Sequence, residues 1–413
     1  MGKNSLNNIQ LNNLRIAYLV FLLSPIFALF LSFFKYKENW PKNIVWFFSS
    51  FYGFTFVIGN KSSDINRYKS SFDELLNSQL NFFGYLGKLI AKGETDFLQQ
   101  SIFYFLSKTT SNFSYVLLII GLIYGYFLSR NIWYVLSLNK LKLSKIAILM
   151  ILVFSFLFAV WDINVMRFTL AAQIFFYGIF NYVINKKKSG LLFVFISPFM
   201  HFSFTIAIGV FLLHQILGNI TKLFFIFFII SFTISEINLE VFKNQFGLLP
   251  EIYSEKTEDY INEEYKEQKD EMTENKNFNG KFYQSSLKWS VGILLSFIYL
   301  NRKKIKGNIS LENLLAFTLL FIAIFNILSV IPSMNRFQFM GYLFAFALFC
   351  SFFNGVVNKN EKIIIIICTP FILFYFFIKL RIGLEFTGLF TILGGPISAI
   401  FNDGDVALIE FFK

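Results

Sequence analysis

LLFVFISPFMHFSFTIAIGVFLLH, residues 191–214, is apolar enough to lie in lipid, yet it carries Pro198 and His201 at its middle. Its threading sets the direction of everything that follows. As one kinked span it would put the basic links NKKKSG (185–190) and NRKKIKGN (301–308) on opposite membrane faces. As two short spans meeting at 198–201, or a broken helix dipping partway, it gathers KYKENWPK (35–42), SRNIWYVLSLNKLKLSK (129–145), NKKKSG, LGNITK (217–222), NRKKIKGN and NKNEK (358–362) on one face. That face is then cytoplasmic by the positive-inside rule, and the reversal at His201 is the better reading.

The rest of the chain fits that scheme. Hydrophobic residues make up 55% of the 413, and 60 residues are Phe, far too apolar for a soluble globular chain. Apolar runs recur at about residues 14–34, 41–58, 113–131, 146–162, 165–184, 190–200, 202–217, 220–237, 285–300, 310–331, 337–356 and 363–380, which predicts about twelve crossings of a hydrocarbon core roughly 30 Å thick. The fold class expected is an all-α polytopic bundle, one integral membrane domain over 1–413. A first outer loop spans 59–112 and a charged outer loop or insertion spans 238–284. The polar start reads as no removable signal peptide. Cys350 and Cys368 fall inside apolar runs and say nothing of redox compartment. The net charge of +12 lies in short links and marks orientation, so nucleic acid is not an expected partner.

With this threading both termini face outward, together with the loop 59–112, the turn WDINVMR (161–167), the break at His201 and the link SMNRF (333–337). Asp64, Arg67 and Tyr68 open the first outer loop. An arginine fork suits phosphate, and a carboxylate one helical turn away can orient it or act as a base, although a plain loop ion pair explains the same letters. Asp162 and Arg167 bracket a tight turn, where Arg167 either faces a hydrated cavity or snorkels to the headgroups. His201 can accept a proton as a neutral imidazole, or be satisfied by a backbone carbonyl. Arg336 begins a span from the same side. Jointly Arg67, Arg167 and Arg336 look like a clamp for an anionic headgroup such as a pyrophosphate. Tyr68 and Asp162 are expected to position substrate. No metal-ligand spacing, Walker loop or dinucleotide fingerprint is present, so neither a metal nor another cofactor is expected.

SSDINRY, WDINVMRFTLAAQ, the KKK link, SPFMHFSF and MNRF, in that order, resemble the EpsG-like branch of the Wzy-type polysaccharide polymerases. The resemblance implies a bacterial cytoplasmic-membrane glycosyltransferase of GT-C-like architecture. Such an enzyme joins polyprenyl-pyrophosphate-linked oligosaccharide repeats at the outer leaflet and releases polyprenyl pyrophosphate, with a chain-length regulator and a flippase of the same pathway as further partners. It implies that Asp64, Arg67, Arg167, His201 and Arg336 do the work, with His201 favoured over Asp64 as the base. The acidic segment 251–277 matches nothing in that pattern. The rival readings are a flippase or transporter for lipid-linked glycan, another lipid-linked glycan transferase or ligase, and a membrane O-acyltransferase using His201.

Overall fold

The computed structural model describes residues 3–59, 64–139, 142–233, 278–329, 331, 333–355, 357–401 and 404–412, and their side chains from residue 13 onward except at 278–281 and 284. The segment 238–284 lies outside the described residues up to 277, and so does the acidic stretch 251–277. The helices are α1 (Lys3–Leu23), α2 (Pro25–Phe34), α3 (Pro41–Phe54), α4 (Asp64–Leu76), α5 (Phe82–Ala91), α6 (Phe97–Ser107), α7 (Phe113–Ser137), α8 (Lys145–Leu157), α9 (Met166–Val183), α10 (Gly190–Met200), α11 (Phe204–Leu217) and α12 (Thr221–Ser231). After the gap come α13 (Phe278–Leu300), α14 (Ile309–Leu328), α15 (Asn335–Phe352), α16 (Lys359–Leu384), α17 (Leu389–Leu393) and α18 (Pro396–Ala399). A 3-10 turn, Val160–Val165, joins α8 to α9. Among the described residues the extended pairing amounts to two isolated bridges, Phe56 with Thr387 and Gly388 with Ala407.

The chain does reverse at His201. α9 and α10 form a hairpin in which a Cβ on Gly178 would stand 2.8 Å from the Gly190 carbonyl oxygen, a close approach that only glycine permits. α11 then returns alongside α9, with Phe204 against Phe168 at 5.3 Å near its start and Phe211 against Tyr182 at 5.6 Å near its end. The backbone of His201 is extended (φ −153°, ψ 113°), so the helix that Pro198 weakens ends there.

The basic links meet at one end of the bundle. Trp133 Nε1 donates to the Tyr36 carbonyl at 3.0 Å, and Ser144 N donates to Asn354 Oδ1 at 2.9 Å. Ser310 Oγ donates to the Ile184 carbonyl at 3.2 Å, Asn219 bonds Asn313, and Lys304 reaches Glu361 at 3.0 Å. We call this the basic end. Residues 64–112, the 3-10 turn, His201, Arg336 and the described residues after α16 lie at the opposite end.

Two expectations need correction. The apolar run 14–34 is not one span. Ser24 breaks it, its Oγ accepting from Phe27 N as Pro25 starts a new helix, and Asn13 Nδ2 donates to Glu38 Oε1 at 3.5 Å. The run therefore doubles back, and Asn13 lies at the basic end, not opposite it. Nor do the described residues confirm a count of twelve. Among the described residues four apolar helical stretches are long enough to cross, Phe113–Ser137, Lys145–Val183, Ile309–Leu328 and Lys359–Leu384; the second contains both α8 and α9. A further set of shorter apolar helices runs 10–17 residues, and at about 1.5 Å per residue these cover only part of a hydrocarbon core. Their outward side chains are still apolar: Ile16, Leu23, Phe34, Phe83, Ile216 and Leu300 are all exposed. This is the surface of a membrane protein.

The centre is α15, apolar on every side and almost wholly buried, as a helix without a polar face must be. Phe344 stacks on Phe176 at 5.0 Å and meets Phe317 edge-on at the same distance. A satisfied polar chain sets the register: Gln338 Nε2 donates to Asn326 Oδ1 and Asn326 Nδ2 to Ser231 Oγ, both at 3.0 Å. α3 and α7 approach through Gly53, Gly121 and Gly125. A Cβ on Gly121 would lie 2.4 Å from the Ser49 carbonyl oxygen, whereas one on Gly209 in α11 meets nothing within 4 Å. Gly121→Leu is therefore expected to lower the melting temperature in detergent, through an overpacking cost of about 1–3 kcal/mol. Gly209→Leu should leave it essentially unchanged; equal effects would refute the seam.

Candidate functional site

At the end opposite the basic links, the 3-10 turn Val160–Val165 holds the first polar cluster. Asp162 folds back so that Oδ2 accepts from Ala159 N at 2.7 Å, and its carbonyl accepts from Thr169 Oγ1 at 3.0 Å. Tyr124 OH, from α7, donates to the Phe158 and Ala159 carbonyls at 2.7 and 3.1 Å and fixes the turn from below. The other carboxylate oxygen of Asp162 accepts from Lys379 Nζ at 2.7 Å, each side chain only 14% exposed. A pair so well shielded from water survives only because each charge neutralises the other. Asp162 thus pairs with the far end of α16 and not with Arg167, its neighbour in sequence.

That pair lines a cavity of about 240 Å³ with Phe168, Tyr283, Arg336 and Tyr375. Tyr283 stacks on Tyr375 at 5.8 Å, and Tyr375 on Phe339 at 6.1 Å, giving an aromatic wall of the kind that suits the faces of sugar rings. Arg336, on the first turn of α15, has no ion-pair partner among the described residues and is exposed at the rim. The cavity therefore offers one uncompensated guanidinium, one neutralised Asp–Lys pair and two tyrosines.

Arg167 begins α9 and points to the loop layer. Its Nη1 donates to Asp96 Oδ2 at 3.0 Å, its Nε donates to Tyr68 OH at 3.3 Å, and its guanidinium lies over the Tyr68 ring at 5.5 Å. Asp96 is 4% exposed, and its second oxygen accepts from Phe202 N at 3.1 Å. One carboxylate thus ties the outer loop, the start of α9 and the reversal beside His201. His201 is half-buried, with Nδ1 3.1 Å from Ser203 Oγ and its ring edge-on to Phe168 at 5.7 Å. Phe168 in turn meets Phe337 at 5.0 Å, so the residues following Arg167 and Arg336 touch and His201 stands above them. Asp64 and Arg67 pair with each other on the first turn of α4, Arg67 with 76% of its side chain exposed, one residue before the buried Tyr68.

The structure thus brings together Asp162 and Arg336 at one cavity, and Tyr68, Arg167 and His201 around the neighbouring tie. Asp64 and Arg67 form a separate exposed pair. Of the three arginines, Arg67 and Arg167 each have a carboxylate partner, and Arg336 is the uncompensated one. Asp96, Lys379, Tyr283 and Tyr375 escaped the sequence reading. A lysine at the edge of an apolar run was the available signal for Lys379. For Asp96 no local signal exists, because its partners are 71 and 106 residues away.

Helices with apolar outer surfaces, basic links collected at one end and a polar cavity under a loop layer at the other define a polytopic helical membrane protein. Residues 44–388 match the EpsG family, and the chain belongs to it. Membership suggests a polymerase-like, glycosyltransferase-like role in polysaccharide biosynthesis. No curated protein and no solved structure matches the chain.

The tie through Asp96 can be tested directly. Asp96→Asn removes the negative charge from the bond to Arg167, at a cost of about 1–3 kcal/mol for a lost charged hydrogen bond. Limited proteolysis of the purified protein should then cut within 77–112 faster than in the wild type, while Asp73→Asn, on the exposed side of α4, should not change the rate. Equal protection in the two variants would show that the tie does not hold the loop.

Proposed function

We propose that the chain is a repeat-unit polymerase of the bacterial cytoplasmic membrane, working at the end of the bundle opposite the basic links, with that end outside the cell. In the reaction, an acceptor hydroxyl oxygen on one polyprenyl-pyrophosphate-linked oligosaccharide forms a bond to the anomeric carbon of the other. The bond from that carbon to the diphosphate oxygen breaks, and polyprenyl pyrophosphate leaves with the electron pair. His201 takes the hydroxyl proton, its ring oriented by the Nδ1 contact with Ser203. Arg336 meets the departing diphosphate, where a planar fork of donors is worth most against developing charge. Arg167 and Tyr68 shape the rim, Asp162 positions a sugar hydroxyl from the cavity wall, and the Asp64–Arg67 pair meets the substrate as it arrives. A chain-length regulator and a flippase of the same pathway are the partners this role calls for.

The observation that carries this reading is Arg336, an uncompensated guanidinium on the wall of an aromatic-lined cavity, with His201 on the other side of Phe168. Its orientation is supported by the gathering of lysines at the far end.

Two measurements test it. Reconstituted protein given lipid-linked repeat units should lose polymer formation by about 10²–10⁴-fold on His201→Ala, while donor still binds. Arg336→Lys should lower it about tenfold or more through the loss of the bidentate fork. Full activity in both variants would remove them from the chemistry. For orientation, single cysteines at Lys92 and Lys187, in a background with Cys350 and Cys368 replaced, should label from outside and only after permeabilisation, respectively. The opposite pattern would invert the topology.

A further inference from the structure

The basic end contains a cleft that the proposed reaction leaves unused. Its polar half, about 460 Å³, lies between the α11–α12 link, the link 301–308 and the start of α14, and is lined by Asn219, Arg302, Lys303, Lys306 and Glu312. Ile305 is buried at 4% and anchors the link, and Lys303 and Lys306 around it are exposed. Arg302 is held over the Tyr299 ring at 4.4 Å, its Nη1 donating to the Tyr299 carbonyl. The single acid, Glu312, is already engaged, its Oε1 accepting from Gly307 N at 2.9 Å. Three cations therefore converge with no carboxylate among the described residues bonded to them. Such crowding is relieved by an anion, and Lys303, Lys306 and Arg302 supply the donors phosphate oxygens take.

The other half is of opposite character. With Lys222 also on its wall, a second hollow of about 530 Å³ shares Asn219, Thr221 and Arg302 with the first and continues along α12 past Ile220, Leu223 and Ile226. These three side chains are 40, 55 and 46% exposed. A cationic head joined through one arginine to an apolar groove matches a molecule with a phosphate at one end and an acyl chain at the other. A soluble phosphate compound has no use for the groove.

We propose that this cleft is a binding site for an anionic phospholipid, its headgroup phosphate on Arg302, Lys303 and Lys306 and its chain along Ile220, Leu223 and Ile226. Basic pockets between membrane helices take acidic headgroups in this way. The site stands at the end opposite the cavity assigned to polymerisation and does not depend on that assignment.

Native mass spectrometry of the full-length protein in detergent, titrated with phosphatidylglycerol or phosphatidylcholine, tests it. Wild type should hold one phosphatidylglycerol in preference to phosphatidylcholine. The variant Arg302→Gln/Lys303→Gln/Lys306→Gln should bind it roughly 100-fold more weakly, from about a fivefold loss per cation. Lys359→Gln/Lys362→Gln, at the same end but outside the cleft, should bind like wild type. If the triple variant does not elute as a single species, Arg302→Gln alone, expected at about a fivefold loss by the same estimate, replaces it. Leu223→Ser/Ile226→Ser should also weaken the lipid, and glycerophosphoglycerol or inorganic phosphate at equal concentration should not displace it. Unchanged binding in the head-side variants would overturn the site. Displacement by inorganic phosphate, with no effect of the Leu223 and Ile226 changes, would overturn the lipid and leave a soluble phosphate as the occupant.

Discussion

The carboxylate of Asp96 is the point on which the half of the molecule opposite the basic links depends. Its residue stands at the N-cap position of α6 without a capping bond there, and at almost no exposure its two oxygens are committed to Arg167 and to the backbone amide of Phe202. Removing a carboxylate from water costs several kcal/mol, and only partners on both oxygens offset that cost. The price of burial thus becomes a geometric constraint: α6, α9 and the α10–α11 reversal can sit in only one arrangement. His201 inherits its place from that constraint, because it precedes the amide that Asp96 holds.

The same cost organises the whole bundle. Charges inside lipid are tolerated only in pairs or facing water, so the chain keeps them at two ends. The interior between is filled by phenylalanine rings around α15, together with a few small or amide side chains that set register, such as Gly121 and the Ser231–Asn326–Gln338 chain. The Asp162–Lys379 pair is the deepest exception. It is neutral as a unit, and its lysine and aspartate both border the cavity, so the site gains polar character without a free charge in the core.

Much of this was legible in the residues. The membrane class, the reversal at His201 and the gathering of basic links followed from hydropathy, Pro198 and the positions of lysines, because each is a local property or a sum of local ones. The hairpin at Ser24 was not read from the apolar run, since a serine before a proline carries no charge to mark a boundary, although that dipeptide is a helix-start signal in its own right. Arg167 was visible as a charge that needed a partner. The partner was not visible, because Asp162 lies five residues away in sequence, and the choice of Asp96 over Asp162 is made by the packing of the loop layer. Lys379 and the two tyrosines of the cavity wall come from helices that only the tertiary fold brings to α9.

The Asp162–Lys379 pair also has a history written into it. The two residues are 217 positions apart. At the usual pace of about 5–20 residues per second, Asp162 is made roughly 10–40 s before the lysine that neutralises it. Tyr52 and Thr387, joined by a hydroxyl contact of 2.9 Å, are separated by 335 positions and wait longer still. During synthesis the early helices must therefore rest against the insertion machinery or against water with this acid still uncompensated. The end that holds the cavity is the last part of the molecule to close, and a ribosome that stops short of α16 leaves behind a chain that is inserted but has no finished cavity.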